Sequence, residues 1–377
     1  MIKNIVKIGL PLVLAFTTYS CQKTAPCSPP GFKWKSVLDN QYGSYATSWW
    51  TDKTGAYLVG YGNLLYHTAD GTVWTYSMLP IEFTSTGVEF FGWGDSPNDI
   101  YIGYGNRVIH FNGITWTTSL TLPSNEIVYA GIAGTNQSDV YVMAETVSTF
   151  SPPYQPPLPI GLKLYHFTGS SWTSTTVPLN NNSIADTSDI SVFGFDVYIA
   201  LDVNLQQPLL LHYNGSTWSS ESFPDISLHV APVISIDSSV FGFNKNDLYT
   251  IVGWNFGSAV LHFTGSGWTI LGGVHDNVFY GRNCAPYRIC SAIWGANDND
   301  LYIDGFSNSE LVVSHFDGQQ WNNMDVADMS ANASTYILPL GLYGLSPNIF
   351  MQVAWYCIPN HERPVSLPPH LTLLKEP

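Results

Sequence analysis

A nine-residue stretch, Val108-Ile109-His110-Phe111-Asn112-Gly113-Ile114-Thr115-Trp116, recurs along the chain and constrains its fold more than any other feature. Close copies run from Leu164 to Trp172, His212 to Trp218, His262 to Trp268 and His315 to Trp321. A version longer by one residue spans His67 to Trp74, and a truncated last one survives as His370-Leu371-Thr372-Leu373-Leu374. Seven units result, with successive histidines 43 to 56 residues apart. A small unit repeated at such a period cannot bury its own apolar face and must stack on its neighbours. Residues from about 32 to 377 are therefore expected to form one domain.

Each unit predicts four short antiparallel strands. In the clearest, a strand over 89–94 meets a polar turn at Asp95-Ser96-Pro97-Asn98, and a second strand covers 99–103. A third runs from Arg107 to Phe111, and a fourth begins at Trp116 and fades by Pro123. The runs are β-branched or aromatic and bounded by Gly, Pro, Asn and Asp. Asn112-Gly113 and Asp317-Gly318 suit a tight hairpin because both residue types tolerate positive φ. The second strand recurs as Asp139-Val140-Tyr141, Asp196-Val197-Tyr198, Asp247-Leu248-Tyr249 and Asp300-Leu301-Tyr302, and its Asp is expected to cap the preceding turn.

Four-stranded units of this period are the signature of a β-propeller blade, and the pattern is similar to the kelch and WD40 class of propellers. The expected fold is all-β, a seven-bladed β-propeller of four-stranded antiparallel blades. The last unit lacks its Trp, while an orphan Trp34 sits in the segment Gly31 to Val37 ahead of the first. An N-terminal strand in the last blade would complete all seven and close the ring, removing open sheet edges.

The first 21 residues read as a signal: Lys3 and Lys7 precede an apolar run from Ile8 to Phe16, and Ser20 precedes Cys21. The segment resembles a bacterial lipoprotein signal with a relaxed lipobox, which implies lipidation at Cys21, a linker over 22–31, and a cell-envelope lipoprotein of the outer membrane or periplasm. In that oxidising compartment Cys27, Cys284, Cys290 and Cys357 can pair in three ways, of which Cys284–Cys290 with Cys27–Cys357 is favoured. The first pair brackets a short loop and the second would tie the chain ends together.

Charged residues are only 11% and net charge is −15, with 13 Lys and Arg in all, too few and too scattered for a nucleic-acid surface. One repeat His per blade leaves neighbours about 10 Å apart, too far for one metal, so structural histidines are expected and no metal or cofactor. Function is expected on the long inserts, which leave the blades on the face opposite the Asn-Gly turns. Tyr154, Trp254, Phe279, Arg282, Tyr287 and Arg288 are the candidate binding residues there, for a protein or glycan ligand held by a monomer. The alternative is a glycoside hydrolase using carboxylates just beyond second strands, Glu145, Asp202 and Asp304. No phosphate loop, nucleophile elbow or CxxC pair supports any other chemistry.

Overall fold

A computed structural model describes residues 33–36, 46–52, 54–60, 63–69, 73–80, 90–147, 159–179, 184–203, 209–221, 235–236, 240–254, 257–273, 292–307, 310–324, 336–346, 349–357 and 370–375. Strand β1 (Lys33–Ser36) comes first. Sheet 1 follows with β2 (Ala46–Asp52), β3 (Gly55–Gly60), β4 (Leu64–Thr68) and β5 (Thr75–Met78). Sheet 2 has β6 (Phe90–Ser96), β7 (Asp99–Tyr104), β8 (Arg107–Phe111) and β9 (Trp116–Thr121). Sheet 3 has β10 (Glu126–Asn136), β11 (Asp139–Val147), β12 (Pro159–Phe167) and β13 (Trp172–Thr176), and sheet 4 has β14 (Ile184–Phe193), β15 (Asp196–Val203), β16 (Leu209–Tyr213) and β17 (Trp218–Glu221).

In sheet 5 the first strand is broken into β18 (Ser235–Ile236) and β19 (Phe241–Asn244), both paired with β20 (Asp247–Trp254), followed by β21 (Gly257–Phe263) and β22 (Trp268–Gly273). Sheet 6 has β23 (Ile293–Asn297), β24 (Asp300–Ser307), β25 (Glu310–Phe316) and β26 (Trp321–Met324). Sheet 7 has β27 (Tyr336–Ser346), β28 (Ile349–Cys357) and β29 (His370–Lys375), and its fourth strand is β1. Lys33 lies opposite Lys375 and Ser36 opposite Thr372, so the N-terminal strand takes the place of the Trp-bearing strand that the last repeat lacks.

All pairings are antiparallel, and within sheets 1 to 6 each strand pairs with the next in sequence, except that β18 joins β20 beside β19. First strands lie against first strands: β6 contacts β2 and β10, β10 contacts β14, and β27 contacts both β23 and β2. The molecule is an all-β propeller of four-stranded antiparallel blades, and its core lies between blades. Tyr57, Val59 and Leu65 of sheet 1 pack with Phe90, Ile100 and Ile102 of sheet 2. Tyr101 and Val108 pack likewise with Val140 and Val142, and Tyr141 and Leu164 with Val197 and Ile199. Second strands are therefore covered on both faces, which is why Val140 to Ala144 are buried without alternation.

Close approach of neighbouring sheets is set by glycine. A Cβ on Gly92 would stand 2.2 Å from the Trp50 ring of sheet 1, and one on Gly134 would stand 2.9 Å from the Trp93 ring of sheet 2. The indole of one blade thus occupies the space that a side chain would take on the next. The outer strands make a similar contact where Trp172 Nε1 donates to Ser119 Oγ at 3.2 Å.

Candidate functional site

The two ends of the sheets differ chemically. At one end lie the turns between first and second strands and those between third and fourth. In the second kind, Phe111 pairs with Trp116, so the connection is four residues long and not a two-residue hairpin. Asn112 Oδ1 accepts from the N–H groups of Ile114 at 3.1 Å and Thr115 at 3.0 Å, and only Gly113 takes positive φ, +86°. The expectation that both residues of Asn-Gly would adopt positive φ is corrected here. Asn holds an Asx turn from ordinary backbone, and the glycine alone needs the left-handed region.

Behind these turns the repeat residues assemble into one cluster in each of sheets 2 to 6. His166 Nε2 donates to Asp139 Oδ1 at 2.7 Å, and its ring lies 4.0 Å from that of Tyr141 at 5°. The same arrangement joins His110, Asp99 and Tyr101; His212, Asp196 and Tyr198; His262, Asp247 and Tyr249; and His315, Asp300 and Tyr302. An ionised Asp can only accept, so the bond fixes the proton on Nε2. Burial, then the adjacent Asp charge, pushes the Tyr101, Tyr141, Tyr198 and Tyr249 hydroxyls well above their usual range.

The sequence reading of the histidines as structural agrees with this geometry. Its reading of the repeat Asp as a turn cap does not. The caps come from the residue three places earlier, where Asn136, Asn244 and Asn297 accept from the N–H groups of Ser138, Asn246 and Asn299 at 2.9, 3.0 and 3.0 Å. The Asp opens the second strand and faces its neighbour, so its carboxylate reaches the third strand instead. The third member of each cluster is a stacked ring and not a hydroxyl in line with the imidazole. Such a group orients the imidazole and supplies no nucleophile.

Sheet 1 departs from the pattern because Gly55 stands where the Asp would be. A Cβ there would fall 1.9 Å from the Thr68 carbonyl oxygen, at a φ of +154°. His67 still packs on Tyr57, at 4.6 Å and 32°, but its Nε2 is buried without a hydrogen-bond partner. Burial lowers its pKa from the usual 6.5, against a weaker opposing pull from Asp52.

At the other end lie the strand ends joined by the long inserts. Glu145, Asp202 and Asp304 sit here, within β11, β15 and β24 and not beyond them as expected. Glu145 is buried, 8% exposed. The strand continues past the repeat Asp for eight residues in β11, seven in β15 and seven in β24, because the adjoining strands are long enough to keep pairing. The three acids are on three different sheets, each on a second strand, one strand removed from the innermost position. Asp202 lies opposite Asp186 of β14, an acid that the sequence reading did not single out.

Trp254 ends β20 at the same end of sheet 5, paired with Gly257. Tyr154, Phe279, Arg282, Tyr287 and Arg288 lie outside the described residues, as do Cys21, Cys27, Cys284 and Cys290; Cys357 closes β28.

Sequence reasoning missed a buried, fully engaged carboxylate at this end. Glu126 opens β10, 2% exposed, and accepts from Lys163 Nζ at 2.6 Å on one oxygen and from the Tyr165 hydroxyl at 2.6 Å on the other. Lys163 and Tyr165 share one face of β12 and reach across β11, where small Ala144 lies opposite Lys163. Burial, then the hydrogen bond to Glu126, drives the Tyr165 hydroxyl far above its usual range. A lysine between two leucines of a third strand was the available signal. Beyond it β10 bulges between Val128 and Ile132, with Ala130 at a φ of +63°. No group of three or more His, Cys, Asp or Glu residues among the described ones could hold a metal ion, and no helix among them is long and apolar enough to cross a membrane.

No protein-family model matches the chain, and no curated protein matches it in sequence. Solved structures do resemble it. YCF48 bound to D1 peptide shares 13% identity at a TM-score of 0.57, over 93% of this chain and 99% of that one. The extracellular domain of a putative hybrid two-component system from B. thetaiotaomicron matches at 11% and 0.54, over 90% of this chain and 39% of that one. Oligogalacturonate lyase in complex with manganese matches at 10% and 0.55, over 92% and 97%. At these identities the likeness is one of fold.

Proposed function

We propose that the protein is an exported, lipid-anchored β-propeller that binds a protein or glycan and performs no chemistry on it. In this reading the seven sheets are the blades of one closed ring, and the ligand sits on the end from which the long inserts leave. The observation that carries it is the state of the acids there. Glu126 has both oxygens engaged by Lys163 and Tyr165, Glu145 is buried, and the three candidate carboxylates are distributed one to a sheet. A glycoside hydrolase needs two carboxyls facing each other across a sugar-sized gap of roughly 5 to 9.5 Å. A scaffold of this shape holds a peptide in YCF48, which fits the binding reading.

A second reading, a carbohydrate-active enzyme, draws on one observation. Asp202 and Asp186 occupy opposite positions in the register of β14 and β15, so two acidic residues share one rung of sheet 4. A glycan array run on the mature chain beside a chromogenic glycoside panel separates the two. Binding without turnover is expected; turnover lost in Asp202→Asn would overturn the binding reading in favour of the enzyme. Silence on both leaves the protein ligand, which a peptide array then tests.

A further inference from the structure

The outermost strand of sheet 1 differs from its counterparts. All four residues of β5 are exposed, with Tyr76 at 66% and Met78 at 75%, and Val73 in the turn before it is 68% exposed. Two places after the outer-strand Trp, sheets 2, 3, 4 and 6 carry Thr118, Ser174, Ser220 and Asn323, sheet 5 carries Ile270, 40% exposed, and sheet 1 carries the more exposed Tyr76. Residues 73–79 contain no charged side chain. Ile114, at the tip of the corresponding hairpin of sheet 2, is 90% exposed at the same end of the molecule.

The side on which this patch lies follows from register. Tyr76 pairs with Tyr66 and Met78 with Leu64, on the face of sheet 1 opposite the Tyr57, Val59 and Leu65 face that packs on sheet 2. Tyr76 and Met78 therefore face sheet 7, whose outer strand is β1. The chain enters β1 at Lys33, on the turn end, with a second lysine at Lys35. Cys21 stands twelve residues before Lys33, a reach of at most about 40 Å.

We infer that this rim, Val73, Tyr76, Met78 and Ile114, seats on the lipid surface to which Cys21 tethers the chain. The inference rests on the lipoprotein reading above. A tyrosine and a methionine on one strand face, in a segment 73–79 that itself carries no charge, suit the boundary between head groups and acyl chains, where an aromatic hydroxyl stays wet and apolar atoms leave water. With a net charge of −15 the molecule as a whole is not drawn to an anionic bilayer, which leaves the apolar side chains to favour the contact. The described chain begins, at Lys33, on the turn end, the end at which Val73 and Ile114 lie.

The test is hydrogen–deuterium exchange on the full acylated chain in vesicles of phosphatidylethanolamine and phosphatidylglycerol, against the Cys21→Ser chain free in solution. Amides of 73–79 should exchange at least about threefold more slowly on vesicles, while those of 218–221 on β17 keep their rate. Tyr76→Ser/Met78→Ser should abolish that slowing although acylation still holds the protein on the vesicle. Unchanged exchange over 73–79 in vesicle-bound protein, or equal slowing over 218–221, would overturn the inference. Slowing that grows with concentration in the vesicle-free chain would overturn it in favour of a second copy pairing along β5. Intact mass of the same preparation reports acylation at Cys21, and an unmodified cysteine there removes the lipoprotein reading itself.

Discussion

Substituting Gly92 by alanine tests how the sheets are held together. The added methyl would stand 2.2 Å from Trp50 Cζ3, 2.8 Å from Cη2 and 2.9 Å from Cε3, so the indole would have to retreat by more than about 1 Å to reach ordinary contact. Trp50 is 6% exposed and lies stacked on Tyr57, with ring centroids 5.1 Å apart at 6°. Retreat would break that stack. Overpacking costs about 1–3 kcal/mol and a lost aromatic pair about 0.5–1.5 kcal/mol. The gain from replacing a strand glycine is below about 1 kcal/mol. The expected loss is therefore about 2–3 kcal/mol, read as a lower urea midpoint at unchanged slope. Trp50→Leu removes the ring atoms involved and costs about 2–4 kcal/mol by itself, but in that background Gly92→Ala should cost under about 0.5 kcal/mol. Additive losses in the double variant would refute the claim that indole and glycine fit each other.

Burial holds His67 below its usual pKa of 6.5, so the unfolded chain takes up a proton first as pH falls through that value, and stability is lost on the acid side. His67→Phe should flatten the fall in melting temperature between about pH 7 and pH 5, and an unchanged profile would exclude His67 as its source. Asn214 Oδ1 accepts from the N–H groups of Ser216 at 3.0 Å and Thr217 at 2.9 Å, so Asn214→Ala should cost about 1 kcal/mol and Asn214→Asp far less, by urea unfolding. Deleting Lys33–Ser36 strips β29 of one of its two partners, leaving an open edge, and should destabilise the whole domain and raise aggregation by light scattering, whereas an unchanged melting curve would contradict the role given to β1. Peptide mapping under non-reducing conditions should join Cys27 to Cys357, and a Cys27–Cys284 link would reverse the pairing.

The strands and turns were legible in the chain because they depend on neighbours in sequence. A run such as Asp99-Ile100-Tyr101-Ile102-Gly103 carries its own preference for extended backbone, and Asn112-Gly113 its own turn. Even the exchange of β1 for the missing Trp strand could be read, since one repeat lacked what another segment held spare. Site chemistry was less readable. Tyr154, Phe279, Arg282, Tyr287 and Arg288 belong to inserts, where no period constrains placement.

By itself the sequence determined a four-stranded repeat, its turn positions and the end of the molecule from which the inserts leave, because alternation of strand direction follows from counting. Only the tertiary structure decided which groups meet. His166 finds Asp139 from 27 positions away, and Lys163 and Tyr165 find Glu126 from 37 and 39. Those distances in sequence are closed by sheet register, in which Ala144 lies opposite Lys163 and Tyr141 opposite His166. Register is a property of paired strands, set by which side chains fit between neighbouring sheets, and a single strand does not carry it.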